Sequence, residues 1–175
     1  EISELFQPDG VPEGFYEVPL GEPDIKRSGK DVTIVTAGHT LYTALKAADI
    51  LQGYGLEAEL VDLRTLAPLN YAPIVESVKK TGRVLLCSDA CQRGSFLNDV
   101  AQNITELAFD YLDAPAVVIG SRNWITPAYE LEKDFFPQPE WLVDAIHQKI
   151  LPLPGHTCVS DCSSEEQNRL SSFGI

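Results

Sequence analysis

DVTIVTAGHTLYTALKAADILQGYGLEAELVDL, residues 31 to 63, decides the fold. It opens with DVTIVTAG (31–38), a short β-branched run that stops at a glycine and reads as a buried strand. Leu41, Ala44, Leu45, Ala48 and Leu51 then recur at the i, i+3, i+4, i+7 spacing of an amphipathic helix, which GYG (53–55) ends. EAELVDL (57–63) reads as a second strand. A strand, a helix and a strand on short connections imply parallel pairing with a right-handed crossover.

The alternation continues outward. Asn70 is a candidate N-cap for a helix with Ile74, Val75 and Val78 turned inward and Lys79 and Lys80 at its favourable C-terminal end. RVLLCSD (83–89) is a third strand, and Phe96, Val100, Ile104 and Leu107 mark the inner face of the helix after it. PAVVIGS (115–121) is a fourth, followed by a poorly periodic loop and the short segment PAYELEKD (127–134). The last helix places Trp141, Leu142, Ala145, Ile146 and Ile150 on one face. The pattern is that of an α/β fold with a sheet covered on both sides.

Toward the N-terminus, DIKRSGKDVT (24–33) suggests a tight turn that pairs residues 24–27 antiparallel to the strand at 31–37. Residues 1–24 are rich in Pro, Gly and acids and read as a linker with one extended piece around YEVPL (16–20). From Pro152 onward the chain is polar, and a loose tail is expected. The expected divisions are a linker (1–24), a folded domain (25–151) and a tail (152–175).

One domain of 175 residues buries roughly 70% of the surface its unfolded chain exposes, so its core needs neither disulfide nor metal. No apolar run approaches the ~20 residues of a membrane span, and no signal-peptide pattern occurs. The sequence starts at Glu1 and has no methionine, so a processed or excised piece is expected. Net charge is −13, with seven acids and no Lys or Arg in residues 1–24. With no basic stripe to neutralise phosphates, nucleic acid is not an expected partner, and neither is a membrane. An acidic surface suits a basic protein partner instead.

Four cysteines in an acidic chain without a signal point to a reducing compartment. Cys87 lies within a strand pattern and reads as a small buried hydrophobe. Cys91 follows that strand at C-x-x-x-C spacing, with no histidine near in sequence to act as its base. His39 closes the first strand, where α/β folds place ligands, but G-x-G-x-x-G is absent. His156, Cys158 and Cys162 form a short cluster that could bind a metal adventitiously or form a labile disulfide. On chemistry alone no catalytic, cofactor-binding or metal residue is assigned.

The order of motifs resembles the transketolase C-terminal domain family, in the form found in the beta subunit of the thiamine-diphosphate-dependent first component of 2-oxo acid dehydrogenase complexes. YEVPLGEPDIKRSGKDVTIV, GLEAELVDLRTLAPL (55–69), V-x-K-T-G-R-V-L-L (78–86), Asp89-Ala90 with Gly94, YLDAPA (111–116) and P-x-P-E-W-L-V-D-A-I carry it. The resemblance implies a three-layer αβα sandwich around a mostly parallel five-stranded sheet with one antiparallel strand.

It also implies that thiamine diphosphate and magnesium are held by the alpha subunit, and that the activating glutamate lies in a preceding domain of the beta subunit. The fragment by itself is then inactive, and the compartment is the bacterial cytoplasm or the mitochondrial matrix. Implied partners are the alpha subunit, a second beta subunit and the basic subunit-binding domain of the acyltransferase core. Asp113 matches an acid the family uses against that binding domain. Two alternatives stay open: a transketolase or deoxyxylulose-phosphate synthase-like enzyme, and a redox- or metal-responsive interaction module built on Cys158 and Cys162.

The chain departs from the pattern in three places. Arg122-Asn123-Trp124-Ile125-Thr126-Pro127 replaces a common Asp-x-Pro-x-Pro, and Asn70 replaces an aspartate. Many members also end near residues 150–152 and dock through that carboxylate, whereas 24 residues follow Leu151 here.

Overall fold

The computed structural model describes residues 13–172. In chain order the elements are β1 (Asp24–Arg27), β2 (Val32–Thr36), α1 (Thr40–Gly53), β3 (Ala58–Asp62), α2 (Ala72–Thr81), β4 (Val84–Cys91), α3 (Phe96–Ala108), β5 (Val117–Ser121), α4 (Glu132–Phe135), α5 (Pro139–Lys149) and α6 (Ser164–Ser172). Short 3₁₀ turns follow α3 and precede α4.

Five strands form one sheet in the order β1-β3-β2-β4-β5. β2, β3, β4 and β5 pair in parallel, and β1 runs antiparallel along β3. Alternation along each strand divides the core in two. Val32, Ile34, Leu60, Leu85 and Cys87 face α1 and α5, while Val35, Val61, Val84 and Leu86 face α2 and α3. The result is the expected αβα sandwich. Among the described residues no helix is long and apolar enough to cross a membrane.

β1 corrects one expectation. It does not form a hairpin with β2; β3 lies between them. Residues 28–31 wrap around the start of β3, where the Lys30 and Asp31 N–H groups both donate to Glu57 O at 3.0 Å. Gly29 makes the passage possible, since a Cβ there would lie 2.3 Å from the Ala58 carbonyl carbon. The segment around residues 16–20 joins no sheet, and Phe15 and Leu20 stand exposed.

Two helices differ in detail. α2 starts at Ala72 rather than beside Asn70, although Asn70 Oδ1 still accepts the Ala72 N–H at 3.0 Å. On α3 the buried stripe is Leu97, Val100, Ala101, Ile104 and Ala108, whereas Leu107 is 55% exposed. That stripe is ~100° wide and centred near Ile104 and Leu97, so Leu107 falls just outside it, beyond Val100.

The largest difference is at the C-terminus. Residues 152–172 pack on the domain and include a helix, α6, instead of forming a loose tail. Leu153 enters the core beside Leu142 and Ile146.

Candidate functional site

At the carboxyl ends of the strands, the chain turns one way from β2 to β3 and the other way to β4. Loops after β2 and β4 therefore diverge, leaving a crevice of the kind in which α/β sheets bind ligands. A cavity of about 280 Å³ opens there, lined by Ala37, Gly38, Arg64, Ser88, Asp89 and Phe96. Its one cation is already engaged, because Arg64 pairs with Asp24, which also holds Lys26 at 2.6 Å. The Lys26 bond chiefly keeps the Asp24 carboxyl below its ordinary range. His39 stands exposed after β2, its ring centroid 5.7 Å from that of Tyr42.

The two cysteines of β4 differ in their surroundings. Cys87 is fully buried; burial and then Asp89 push its thiol up to about 12, so it stays protonated. Cys91 is exposed, with Sγ 3.4 Å from Arg122 O and 3.2 Å from Asn123 Oδ1. Both neighbours accept a proton bond, and neither is a base that could activate the thiol.

Asp113 lies at the opposite end of the sheet, ahead of β5. Its N–H donates to Gly82 O at 2.7 Å, and its carboxylate pairs with Arg83 Nη2 at 3.1 Å. Gly82 caps α2 in the left-handed region (φ 70°), and a Cβ on it would lie 2.7 Å from Asp113 Oδ2. The Asp113 side chain is 61% exposed. Beside it Leu107, Phe109 and Tyr111 turn outward, with Lys79 Nζ 5.4 Å from the Tyr111 ring centroid. This surface is amphipathic, with its acid already balanced by an arginine of the same chain. Sequence reasoning found Asp113 but missed its apolar surround, because Leu107 matched the helix period and was assigned to the core.

The C-terminal cluster is the most elaborate polar constellation among the described residues. Asp144, on the buried face of α5, is fully inaccessible. Its Oδ1 lies 2.6 Å from His156 Nε2, while its Oδ2 accepts the Val159 N–H (3.0 Å), the Ser160 N–H (2.8 Å) and the Ser160 hydroxyl (2.7 Å). Tyr54 Oη is 3.0 Å from His156 Nδ1, and His147 Nδ1 accepts the Leu153 N–H at 2.8 Å.

Cys158 and Cys162 are both free and have different surroundings. Cys158 Sγ belongs with Asp144 and His156, whose donor atoms all lie within 4.8 Å of one another. Cys162 Sγ lies 3.4 Å from Ser160 Oγ, and burial raises its thiol. The sequence showed the two cysteines but not Asp144, whose position among apolar helix residues gave no sign of an acceptor.

A family model described as "Transketolase, C-terminal domain" matches residues 21–142. The chain is 40% identical over 134 residues to the acetoin:2,6-dichlorophenolindophenol oxidoreductase subunit beta of Bacillus subtilis (strain 168), covering 76% of this chain and 39% of that one. It is 38% identical over 132 residues to the pyruvate dehydrogenase E1 component subunit beta of Rhizobium meliloti (strain 1021), covering 75% and 29%. The chain thus spans well under half the length of these curated relatives. Among solved structures, a chain of a split gene transketolase, described as an inactive beta4 tetramer, superposes with a TM-score of 0.64 at 30% identity, covering 82% of this chain and 47% of that one.

Proposed function

The chain belongs to the transketolase C-terminal domain family, and from that premise we propose that it is the assembly and partner-docking domain of a 2-oxo acid dehydrogenase first-component beta subunit. The complete enzyme would decarboxylate a 2-oxo acid on thiamine diphosphate and pass the acyl unit to lipoyl groups. Its natural compartment would be the bacterial cytoplasm or the mitochondrial matrix.

The observation that carries the docking role is the exposed surface around Asp113. Leu107, Phe109 and Tyr111 offer apolar area, and the carboxylate offers a point for a basic partner. Arg83 orients that carboxylate through its ion pair until a stronger cation displaces it. Such a surface fits the small basic subunit-binding domain of an acyltransferase core. The alpha subunit and a second beta subunit would cover other faces of the domain.

The described residues hold no ligand cluster of the kind magnesium prefers. Magnesium takes octahedral oxygen ligands, usually carboxylates together with substrate phosphates. The one cluster of three candidate ligands among the described residues contains a thiol and an imidazole. No step of decarboxylation is therefore assigned to this chain; thiamine diphosphate and magnesium would be held by the alpha subunit, with the activating glutamate in the preceding beta domain.

Calorimetry of the assembled enzyme with a basic subunit-binding domain tests the docking role. Asp113→Lys should weaken capture by roughly 1–3 kcal/mol, with strong salt dependence. Unchanged affinity would reject it. A second reading, a split-gene transketolase subunit, is favoured by the 0.64 TM-score. Turnover of a ketose phosphate in place of a 2-oxo acid with a lipoyl acceptor, by the complete enzyme, would select it.

A further inference from the structure

The C-terminal cluster has a purpose that the docking role does not absorb. Three ligand types converge on one point: a carboxylate from α5, and an imidazole and a thiol from the segment that follows it. Their donor atoms lie within 4.8 Å of one another. All three residues lie beyond the stretch that the family model matches. We propose that Asp144, His156 and Cys158 form a Zn²⁺ site that fastens the C-terminal segment to α5.

The arrangement suits a metal in three respects. Asp144 is prepared as a ligand, because its Oδ2 is fixed by the Val159 N–H, the Ser160 N–H and the Ser160 hydroxyl. That leaves Oδ1 directed at His156. His156 has an outer partner as well, since Tyr54 Oη lies on the far side of its ring, 3.0 Å from Nδ1. Ligating histidines ordinarily have such a partner, which holds the ring and its tautomer. Cys158 is partly exposed, so an ion can enter and a water can complete four-coordination. A thiolate, an imidazole and a carboxylate together favour Zn²⁺ over Mg²⁺ or Ca²⁺, which take oxygen ligands.

The proton balance follows from the geometry. With the imidazole neutral and its proton on Nε2, that N–H donates to Asp144 Oδ1 and Nδ1 accepts from the Tyr54 hydroxyl. Zn²⁺ takes the Nε2 lone pair, so the imidazole proton moves to Nδ1 and the Tyr54 hydroxyl oxygen becomes its acceptor. The Cys158 thiol proton leaves to solvent. One proton is released per ion bound wherever the imidazole starts neutral.

The test is titration of the full chain, stripped of metal, with Zn²⁺ against a chelating indicator. Co²⁺ serves as a spectroscopic probe. One ion should bind per chain, and the Co²⁺ complex should show a thiolate-to-metal charge-transfer band. Cys158→Ser should remove that band and weaken Zn²⁺ by at least about tenfold, since outer-shell losses alone cost that much. His156→Gln should weaken Zn²⁺ similarly. Cys162→Ser should leave both readouts intact. The proposal is overturned by the absence of stoichiometric binding, by a Co²⁺ complex without the thiolate band, or by an equal loss in Cys162→Ser.

Discussion

Glu59, on β3, is a charged residue that is only 2% exposed. Its Oε2 accepts from Lys80 Nζ and from the Gly29 N–H at 3.2 Å, while Oε1 has no hydrogen-bond partner. Burial alone would raise this carboxyl, but the bonds from Lys80, Ser77 and Gly29 outweigh burial and leave it below the ordinary 4.5. A depressed folded-state pKa gives stability that is present above the unfolded value and is lost as pH falls through the folded one. Unfolding free energy measured in denaturant should therefore decline from about pH 5 downward, and Glu59→Gln should flatten the decline. That substitution should cost roughly 1–3 kcal/mol at neutral pH, because it leaves Lys80 without its anion. Two glycines make a second pair of expectations. Gly29→Ala forces a Cβ against the backbone of β3 and should destabilise by about 1–3 kcal/mol. Gly53→Ala meets nothing within 4 Å at the end of α1 and should stabilise by about 0.5–1 kcal/mol. Both glycines were visible in the sequence as helix and turn punctuation. Their opposite signs were not, because they depend on what lies opposite in space.

At the scale of elements, the alternation of β-branched runs with 3.6-period stripes located four strands and four helices, because each buries a face that its own sequence must supply. β1 was placed against the wrong neighbour for a physical reason. Its four residues carry Asp24, Lys26 and Arg27, so they hold no apolar alternation that would choose between β2 and β3. The C-terminal segment was misread because its anchors are the buried Asp144 carboxylate, Gln148 and the lone Leu153 rather than an apolar stripe. Asp144→Ala should remove the acceptor of the Val159 and Ser160 amides, and their hydrogen exchange should rise toward that of an unprotected chain. Stability should fall by roughly 1–3 kcal/mol, measured in denaturant without added metal. Exchange within α2, on the far side of the sheet, should not change.

For the whole molecule, net charge shapes what the fold can meet. An excess of thirteen acids favours encounter with basic surfaces and slows approach of acidic ones. Association with a basic partner should therefore slow several-fold between 50 and 200 mM salt, with dissociation nearly constant, in stopped-flow mixing. The sandwich and its family were legible because motif order runs through the whole domain. The proposed docking surface was legible only as the lone Asp113, since a patch assembled from the end of α3 and the cap of α2 has no linear signature. The wrap of residues 28–31 around β3 also sets an order of events. β1 lies at the edge of the sheet and pairs only with β3, which follows it in the chain, so the rest of the sheet can assemble without it. Ile25→Ala should accelerate unfolding while leaving the refolding rate almost unchanged.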